Sequence, residues 1–600
     1  MKTYISSIEP LEARIAPAAI VISYTDVDGD IVNIRDSNGH LASTDLIFVG
    51  GGTSGQLAEL NLSNGMFAGA SITFSVVHKA GGDGLANVGY IDAGTSNLGA
   101  VTVKGDLGRI TAGSGTGPAV KSLDVNSMGR LGTATQQGLG SPSLESSFNG
   151  GLGSLTVAHD DVGAFIVVSG GGAGAITIGG SLIGGTANDT GQINVTGSIG
   201  AVKIGQDVVG GGGISSGSIV ASENIASVTI GGSLIGGGGF ASGQLATDDG
   251  TMGAVKIGQD ILGGSDFQAG SIFSNGKLTS VTVGGSLAGG AGDSSGEVLG
   301  NAEIGPVKIG HNVQGGAGNG SAVITTGTSK IASVSIGGSL LGGTGTGSGV
   351  ISSLEELGAV DIGGSFRGAS ITGTTGSLDS SGLIESVAGN IVSVTIGGSI
   401  VSGTDTSTGG SLTNNASIRA GSEINSITVR GSLIGNPDGG TGDAASPVVI
   451  SAEVAIGKIS IAGRVEDAAI LAGYDTGLNA VNAEARIGAV KVGGDWIASD
   501  LVAGAVNSDT PAGAPFANFG NASDGAISGG AAGVISKIAS ITIDGEVYGT
   551  PASVSATDNY GFVAQAIGPV KIGGVAIAIG GGNTPQAVGE TGDVDIHVIS

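Results

Sequence analysis

Residues 225–237 read Ile-Ala-Ser-Val-Thr-Ile-Gly-Gly-Ser-Leu-Ile-Gly-Gly, and this phrase decides the fold. Within it, Val228 and Ile230 are separated by the polar Thr229, which is the alternation of a strand with one buried face. The two Gly pairs that follow can adopt the positive φ angles of tight turns. The phrase therefore predicts short strands joined by turns.

The same phrase returns along the chain at a regular interval. Counted from the first buried β-branched residue, successive copies are 26 or 27 residues apart as far as Val360, and 29 to 51 residues apart after it. Further apolar columns stand six, seventeen and about twenty-four residues after each anchor. Such a period predicts coils that stack with equivalent strands in parallel, about 4.8 Å apart. The anchors are Ile176, Val202, Val228, Val255, Val281, Val307, Val334, Val360, Val394, Ile427, Ile459, Val490, Ile541 and Val570.

The columns predict an all-β fold, a right-handed parallel β-solenoid of about 26-residue coils. Leucine-rich repeats need a Leu-rich frame with an Asn, which is missing, and propeller blades need about 40 residues and more aromatic side chains than the 3% present here. Phe366 and Trp496 stand in the column six residues after the anchor, so we expect both rings to point into the solenoid. Fourteen coils would give a core roughly 65 Å long.

Changes in the repeat predict the domain boundaries. The coils loosen after residue 392, and the longest interval, from Val490 to Ile541, predicts an extruded loop. Open terminal coils expose unpaired strand edges, so caps are expected at the ends. The expected segments are an export-type motif without ordered structure (1–20), a β-rich N-terminal cap (21–98), irregular first coils (99–170), the regular solenoid (171–392), looser coils (393–500), the extruded loop (501–535), and final coils with a C-terminal cap (536–600).

Composition excludes several classes of function. The formal net charge of −27 repels nucleic acid and anionic lipid, so neither is an expected partner. No apolar run reaches the 18 residues of a membrane helix, and the absence of Cys excludes disulfides, Cys-ligated zinc and thiol chemistry. The sequence does not determine the oligomeric state.

Two stretches resemble known bacterial proteins. The segment Ile-Glu-Pro-Leu-Glu-Ala-Arg-Ile-Ala-Pro-Ala at 8–18 resembles the Leu-Glu-Pro-Arg-type motif that opens many large surface proteins, although Leu-Glu-Ala separates its Pro from its Arg. The alternating Gly-Ala-Val-Lys-Ile-Gly and Ser-Val-Thr-Ile-Gly-Gly-Ser-Leu phrases, over roughly 99–580, resemble repeats of large uncharacterised exoproteins. The resemblance implies an exported, repeat-built protein and brings no assigned activity. We therefore expect a non-catalytic structural or adhesive solenoid, extracellular or on the cell surface, with cell envelope or extracellular polysaccharide as the candidate partner.

Two other functions are compatible with a solenoid. A carbohydrate- or ice-binding module would use outward Thr and Ser rows, but Lys203, Lys256 and Lys308 interrupt the row on alternate coils. A β-helix polysaccharide lyase or hydrolase needs a cluster of carboxylates. The densest titratable group is the triplet His159-Asp160-Asp161, which has no repeated acid in neighbouring coils. The remaining histidines are far apart and lack metal-ligand spacing.

One metal candidate stands near the N-terminus. Asp26, Asp28 and Asp30 alternate with other residues and include a Gly, as in calcium-binding loops. The full EF-hand pattern fails, because the Gly comes too early and the closing Glu is missing. Calcium is the one candidate cofactor; the alternative is an acidic turn ahead of a strand.

Overall fold

The computed structural model describes residues 20–373, 376–407, 411–436, 447–509, 518–550, 558–580 and 582–600. Apart from Ile20, the export-type motif expected at 1–20 lies outside these residues. Strands dominate, with two 3₁₀ helices and no α-helix in the described ranges; these 3₁₀ helices are Ser43–Asp45 and Gly132–Gln136. None of the helices in the described part of the chain has the length and apolar character needed to span a bilayer.

The chain divides into two compact units. The first reaches Ile178 and includes Val195–Gly197, and the second comprises Gly179–Asn194 and Ser198–Ser600. Strands of the first unit are Ile20–Thr25, Ile31–Asp36, Leu46–Phe48, Leu57–Asn61, Ile72–Val77, Val88–Asp92, Leu98–Ala112, Pro118–Met128, Glu145–Asn149, Gly151–Val157, Asp161–Val162, Phe165–Ser169 and Ala173–Ile178. The strand Ile193–Val195 lies at the division.

Antiparallel strands open the first unit, where Ile20–Thr25 pairs with Ile31–Asp36. Parallel pairing begins sooner than the boundary predicted at residue 98: Leu57–Asn61 pairs with Val88–Asp92, which in turn pairs with Leu98–Ala112. The second half of the region 21–98 thus already pairs in parallel with the strands that follow it. These strands lack the repeated glycine phrase, so counting anchors could not find them.

The second unit is a parallel β-solenoid, as predicted. Each regular coil has three strands, and each strand pairs in parallel with its equivalent in the next coil. In the first column, Val228 pairs with Val255 and then Val281, so the sequence anchors are in register. This column contains Ile199–Ile204, Ile225–Ile230, Met252–Ile257, Leu278–Val283, Ile304–Ile309, Ile331–Ile336, Leu357–Ile362, Ile391–Ile396, Glu423–Val429, Ala455–Ile461, Arg486–Val492, Lys537–Ile543, Ala566–Ile567 and Val570–Ile572.

The other two columns follow the same order. The second contains Leu182–Ile183, Val208–Val209, Leu234–Ile235, Ile261–Leu262, Leu287–Ala288, Val313–Gln314, Leu340–Leu341, Phe366–Arg367, Ile400–Val401, Leu433–Ile434, Val465–Glu466, Trp496–Ile497 and Val547–Tyr548. The third contains Ile219–Ala221, Leu245–Thr247, Ile272–Ser274, Val298–Gly300, Ile324–Thr326, Val350–Ser353, Leu383–Ser386, Ser417–Ala420, Val448–Ala452, Ala468–Ala472, Asp500–Ala503, Tyr560–Ala564 and Val594–Val598. Smaller strands outside the columns are Ile371–Gly373, Ser377–Asp379, Asp405–Ser407, Ser411–Thr413, Ala505–Asn507, Asp524–Ala526, Val575–Ile577 and Gln586–Ala587.

The interior of the second unit is filled by the predicted apolar columns. Phe366 and Trp496 are both fully buried, which confirms their inward orientation. The indole nitrogen of Trp496 donates to the carbonyl of Ser499 at 2.9 Å, and its ring lies 5.2 Å from that of Phe562. The buried indole N–H is thus satisfied by a backbone carbonyl.

A second apolar cluster covers the outer face of the third column in the later coils. Every residue of Ala468–Ala472 is buried, so this strand is covered on both faces. Tyr474, Phe519 and Ile527 belong to the outer cluster. Residues 501–503 of the loop expected at 501–535 belong to the coil strand Asp500–Ala503, and Phe519 and Ile527 of the described remainder pack against the sheet. Continuous apolar runs such as Ala-Ala-Ile-Leu-Ala are the sequence signal for two-sided burial.

Candidate functional site

The acidic loop of the first unit brings its three aspartates together. Asp26, Asp28 and Asp30 each offer a carboxylate oxygen, and these atoms lie within 4.8 Å of one another. The loop joins the antiparallel strands Ile20–Thr25 and Ile31–Asp36, whose pairing forces the chain to reverse there. The turn is held by Asp26, whose Oδ1 accepts from the amides of Gly29 and Asp30 at 3.1 and 2.8 Å.

Asp30 anchors a second loop. Its side chain is fully buried; Oδ1 accepts from the amide of Lys79 at 2.5 Å, and Oδ2 accepts from the amide of Gly84 at 2.6 Å. His78 lies beside it, with Nδ1 3.4 Å from Oδ1. The hydrogen bond from Lys79 is the main reason that the pKa of Asp30 is lowered. Both carboxylate oxygens of Asp30 thus already accept hydrogen bonds from backbone amides. Asp30 therefore links the acidic loop to the loop that contains Lys79 and Gly84, in addition to being one of the three clustered aspartates.

Asp26 and Asp28 face an open cavity of about 200 Å³. Gln56, Asp83 and Asn87 complete its polar lining. These three residues carry no repeated pattern in the sequence, and only the folding of separate loops brings them to the cavity. Carboxylate and amide oxygens are the ligands that Ca²⁺ prefers.

The two aspartates at the cavity differ in acidity. Partial burial, together with the hydrogen bond and charge of Asp28, raises the pKa of Asp26 to about 6. The same hydrogen bond lowers the pKa of Asp28. One proton is therefore shared between the two carboxylates below about pH 6. A cation at this place would remove that proton, since ligating carboxylates are deprotonated.

The triplet His159-Asp160-Asp161 does not form a compact site. The side chain of His159 is exposed, whereas Asp161 is fully buried. Asp161 Oδ1 accepts from the amide of Ala164 at 3.1 Å, and burial raises the pKa of Asp161 well above its usual value. This carboxyl is therefore buried in the short strand Asp161–Val162, apart from the exposed side chain of His159.

A buried histidine in the second unit also has an acidic partner. His597 Nδ1 lies 2.8 Å from Asp524 Oδ2, and both side chains are fully buried. Asn507 donates to Asp524 Oδ1 at 2.7 Å, and the amide of Gly520 donates to Oδ2 at 2.9 Å. The group lies in the outer layer of the third column. Because neither partner has exposed side-chain surface, this pair is built for packing rather than for contact with a substrate.

The chain was also compared with known proteins. No family model matches the chain, and no curated protein or solved structure is found to be similar to it.

Proposed function

We propose that the protein is a non-catalytic structural or adhesive β-solenoid that acts outside the cell or on its surface. The supporting observation is a ladder of side-chain hydrogen bonds at the turn between the first and second strand columns. Asp207 Oδ1 accepts from the amide of Ser233, and Asp260 Oδ1 accepts from that of Ser286, both at 2.7 Å. Asn312 does the same for Ser339 at 2.8 Å.

Serines occupy the ladder on the alternate coils. Ser233 Oγ accepts from the amide of Asp260 at 3.3 Å, and Ser286 Oγ accepts from that of Asn312 at 3.4 Å. Acidic residues of the regular coils are thus used to join one coil to the next. A chain that commits its polar side chains to stacking is suited to a mechanical or display role, and its repeat phrases resemble those of large exported proteins.

Fractionation of the native cells tests the location. We expect the protein in the envelope or the medium, with protease treatment of intact cells removing it while a cytoplasmic marker survives. Recovery with that marker, protected from protease until the cells are lysed, would overturn the proposal.

A binding module for anionic or neutral polysaccharide is the second candidate, and the outward row of the first column favours it. Lys203 and Thr229 stand side by side in register, followed by Lys256 and Thr282. Glycan-array binding of the triple variant Lys203→Thr, Lys256→Thr, Lys308→Thr separates the candidates. We expect little change in binding or melting temperature, because three spaced lysines cannot dominate a net charge of −27. Loss of one anionic glycan with unchanged melting would favour the binding module.

A further inference from the structure

The last coil of the second unit leaves a groove between two strand edges. Val575–Ile577 pairs antiparallel with Val570–Ile572, and Gln586–Ala587 pairs antiparallel with Val594–Val598. Among the described residues, each of the two outer strands, Val575–Ile577 and Gln586–Ala587, pairs with one strand only. A groove of about 450 Å³ lies between them.

The lining of this groove is partly apolar. Val547 is the last member of the second column and lies at its base, with Ile572 and Ile577 beside it. The side chain of Val575 is 64% exposed. Val547 is only 1% exposed, and Ile572 and Ile577 are partly exposed, so the groove has a buried apolar floor and an exposed valine on one wall.

The rim of the groove is acidic. Glu546 and Glu590 both line it, and both are exposed. The backbone here is held in place, since the amide of Glu590 donates to the carbonyl of Val547 at 3.0 Å. Gln586 closes the adjoining loop by donating to the carbonyl of Ala578 at 3.0 Å and accepting from the amide of Gly580 at 2.8 Å. The groove is therefore a built feature with fixed walls.

We propose that this groove binds an extended segment of a partner protein, with alternating apolar residues and a basic residue at the rim. Unpaired strand edges bind extended chains by adding a strand, and the apolar pockets then select alternate side chains. Two carboxylates at the rim select Lys or Arg in the partner. A second copy of this chain is disfavoured, because each copy carries a net charge of −27. The inference does not depend on the cellular location.

Synthetic peptides test this proposal on the full chain. The probe is Lys-Val-Thr-Val-Thr-Val-Lys with blocked termini, measured by isothermal calorimetry. One comparison peptide has Glu at both ends, and another has N-methylated amides at alternate positions. We expect the lysine peptide to bind about tenfold more tightly than the glutamate peptide, and the N-methylated peptide to lose binding because it cannot pair with an edge.

Variants locate the binding. Val575→Asp should abolish it, because it places a charge in the apolar groove, and circular dichroism should show an unchanged fold since this residue is 64% exposed. Val454→Asp is the matched control at a site 37% exposed elsewhere in the unit, and it should bind normally. Absence of binding, equal binding of the two charged peptides, or binding that survives Val575→Asp would overturn the proposal. So would concentration-dependent self-association that Val575→Asp removes, because the occupant would then be a second copy.

Discussion

A single buried carboxylate illustrates how one residue disturbs a repeat. Glu297 is only 8% exposed and lies just before the third strand of its coil. At the equivalent place two coils earlier stands Gln244, whose Nε2 donates to Ser271 Oγ at 3.0 Å. Burial raises the pKa of Glu297 to about 7. The glutamate is thus a poorer choice than an amide once it ionises.

Glu297→Gln should stabilise the protein at pH 8.5 and have little effect at pH 4.0. The native state holds the proton of Glu297 more tightly than the unfolded chain does, so stability is lost as the pH rises through about 7. Removing the charge should restore on the order of 3 kcal/mol above that pH. Melting temperatures at the two pH values check this, with exposed Glu356→Gln as control. An equal gain at both pH values would contradict it.

Calcium binding by the aspartates of the acidic loop stays a prediction, and it also concerns individual residues. We expect millimolar CaCl₂, but not MgCl₂, to raise the melting temperature of the protein and EDTA to reverse the rise. The double variant Asp26→Asn, Asp28→Asn should lose the response, because it removes the two carboxylates that face the cavity. Asp249→Asn, an exposed acid elsewhere, serves as control. A flat calcium titration of the native chain would leave the acidic turn as the explanation.

At the scale of the element, the turn ladder determines how coils hold together. Asp260 accepts from the amide of Ser286, and Asn312 accepts in the same way two coils further on. An amide oxygen therefore replaces a carboxylate at this position without loss of the bond. An apolar residue at this position has no acceptor atom for the amide of the next coil.

Asp260→Ala should destabilise the solenoid by about 1–3 kcal/mol, because it leaves a partly buried N–H without an acceptor. Asp260→Asn should be nearly neutral. Amide hydrogen exchange at Ser286 provides the measurement: we expect faster exchange in the alanine variant and native protection in the asparagine variant. If both variants exchange alike, the charge rather than the hydrogen bond would be what matters.

Across the whole molecule, buried acids govern the dependence on pH. Burial raises the pKa of Glu297 and Asp467 to about 7 and that of Asp595 to about 6. It also raises the pKa of Asp161 and Asp500 well above the usual value. Each of these groups binds its proton more tightly in the folded chain, so each contributes stability that is lost as the pH rises.

The protein should consequently be most stable in mildly acidic solution, near about pH 5. Protonation also reduces the repulsion that a net charge of −27 imposes on the compact state. Melting temperature measured from pH 4 to 9 at constant ionic strength should rise as the pH falls from about 8 to about 5. A maximum at pH 8 would show that the buried acids are paired or hydrated in solution.

The sequence by itself determined the parallel solenoid, the coil length and the inward columns, down to the burial of Phe366 and Trp496. It could do so because each coil meets only its neighbours, so a local period specifies the packing of the whole stack. The acidic loop was also recognisable, since its aspartates are adjacent along the chain. Only the tertiary structure placed Asp83 at the cavity, His597 against Asp524, and Glu546 and Glu590 around an open groove. These contacts join segments far apart in sequence that carry no repeat, and no period encodes which loops will meet.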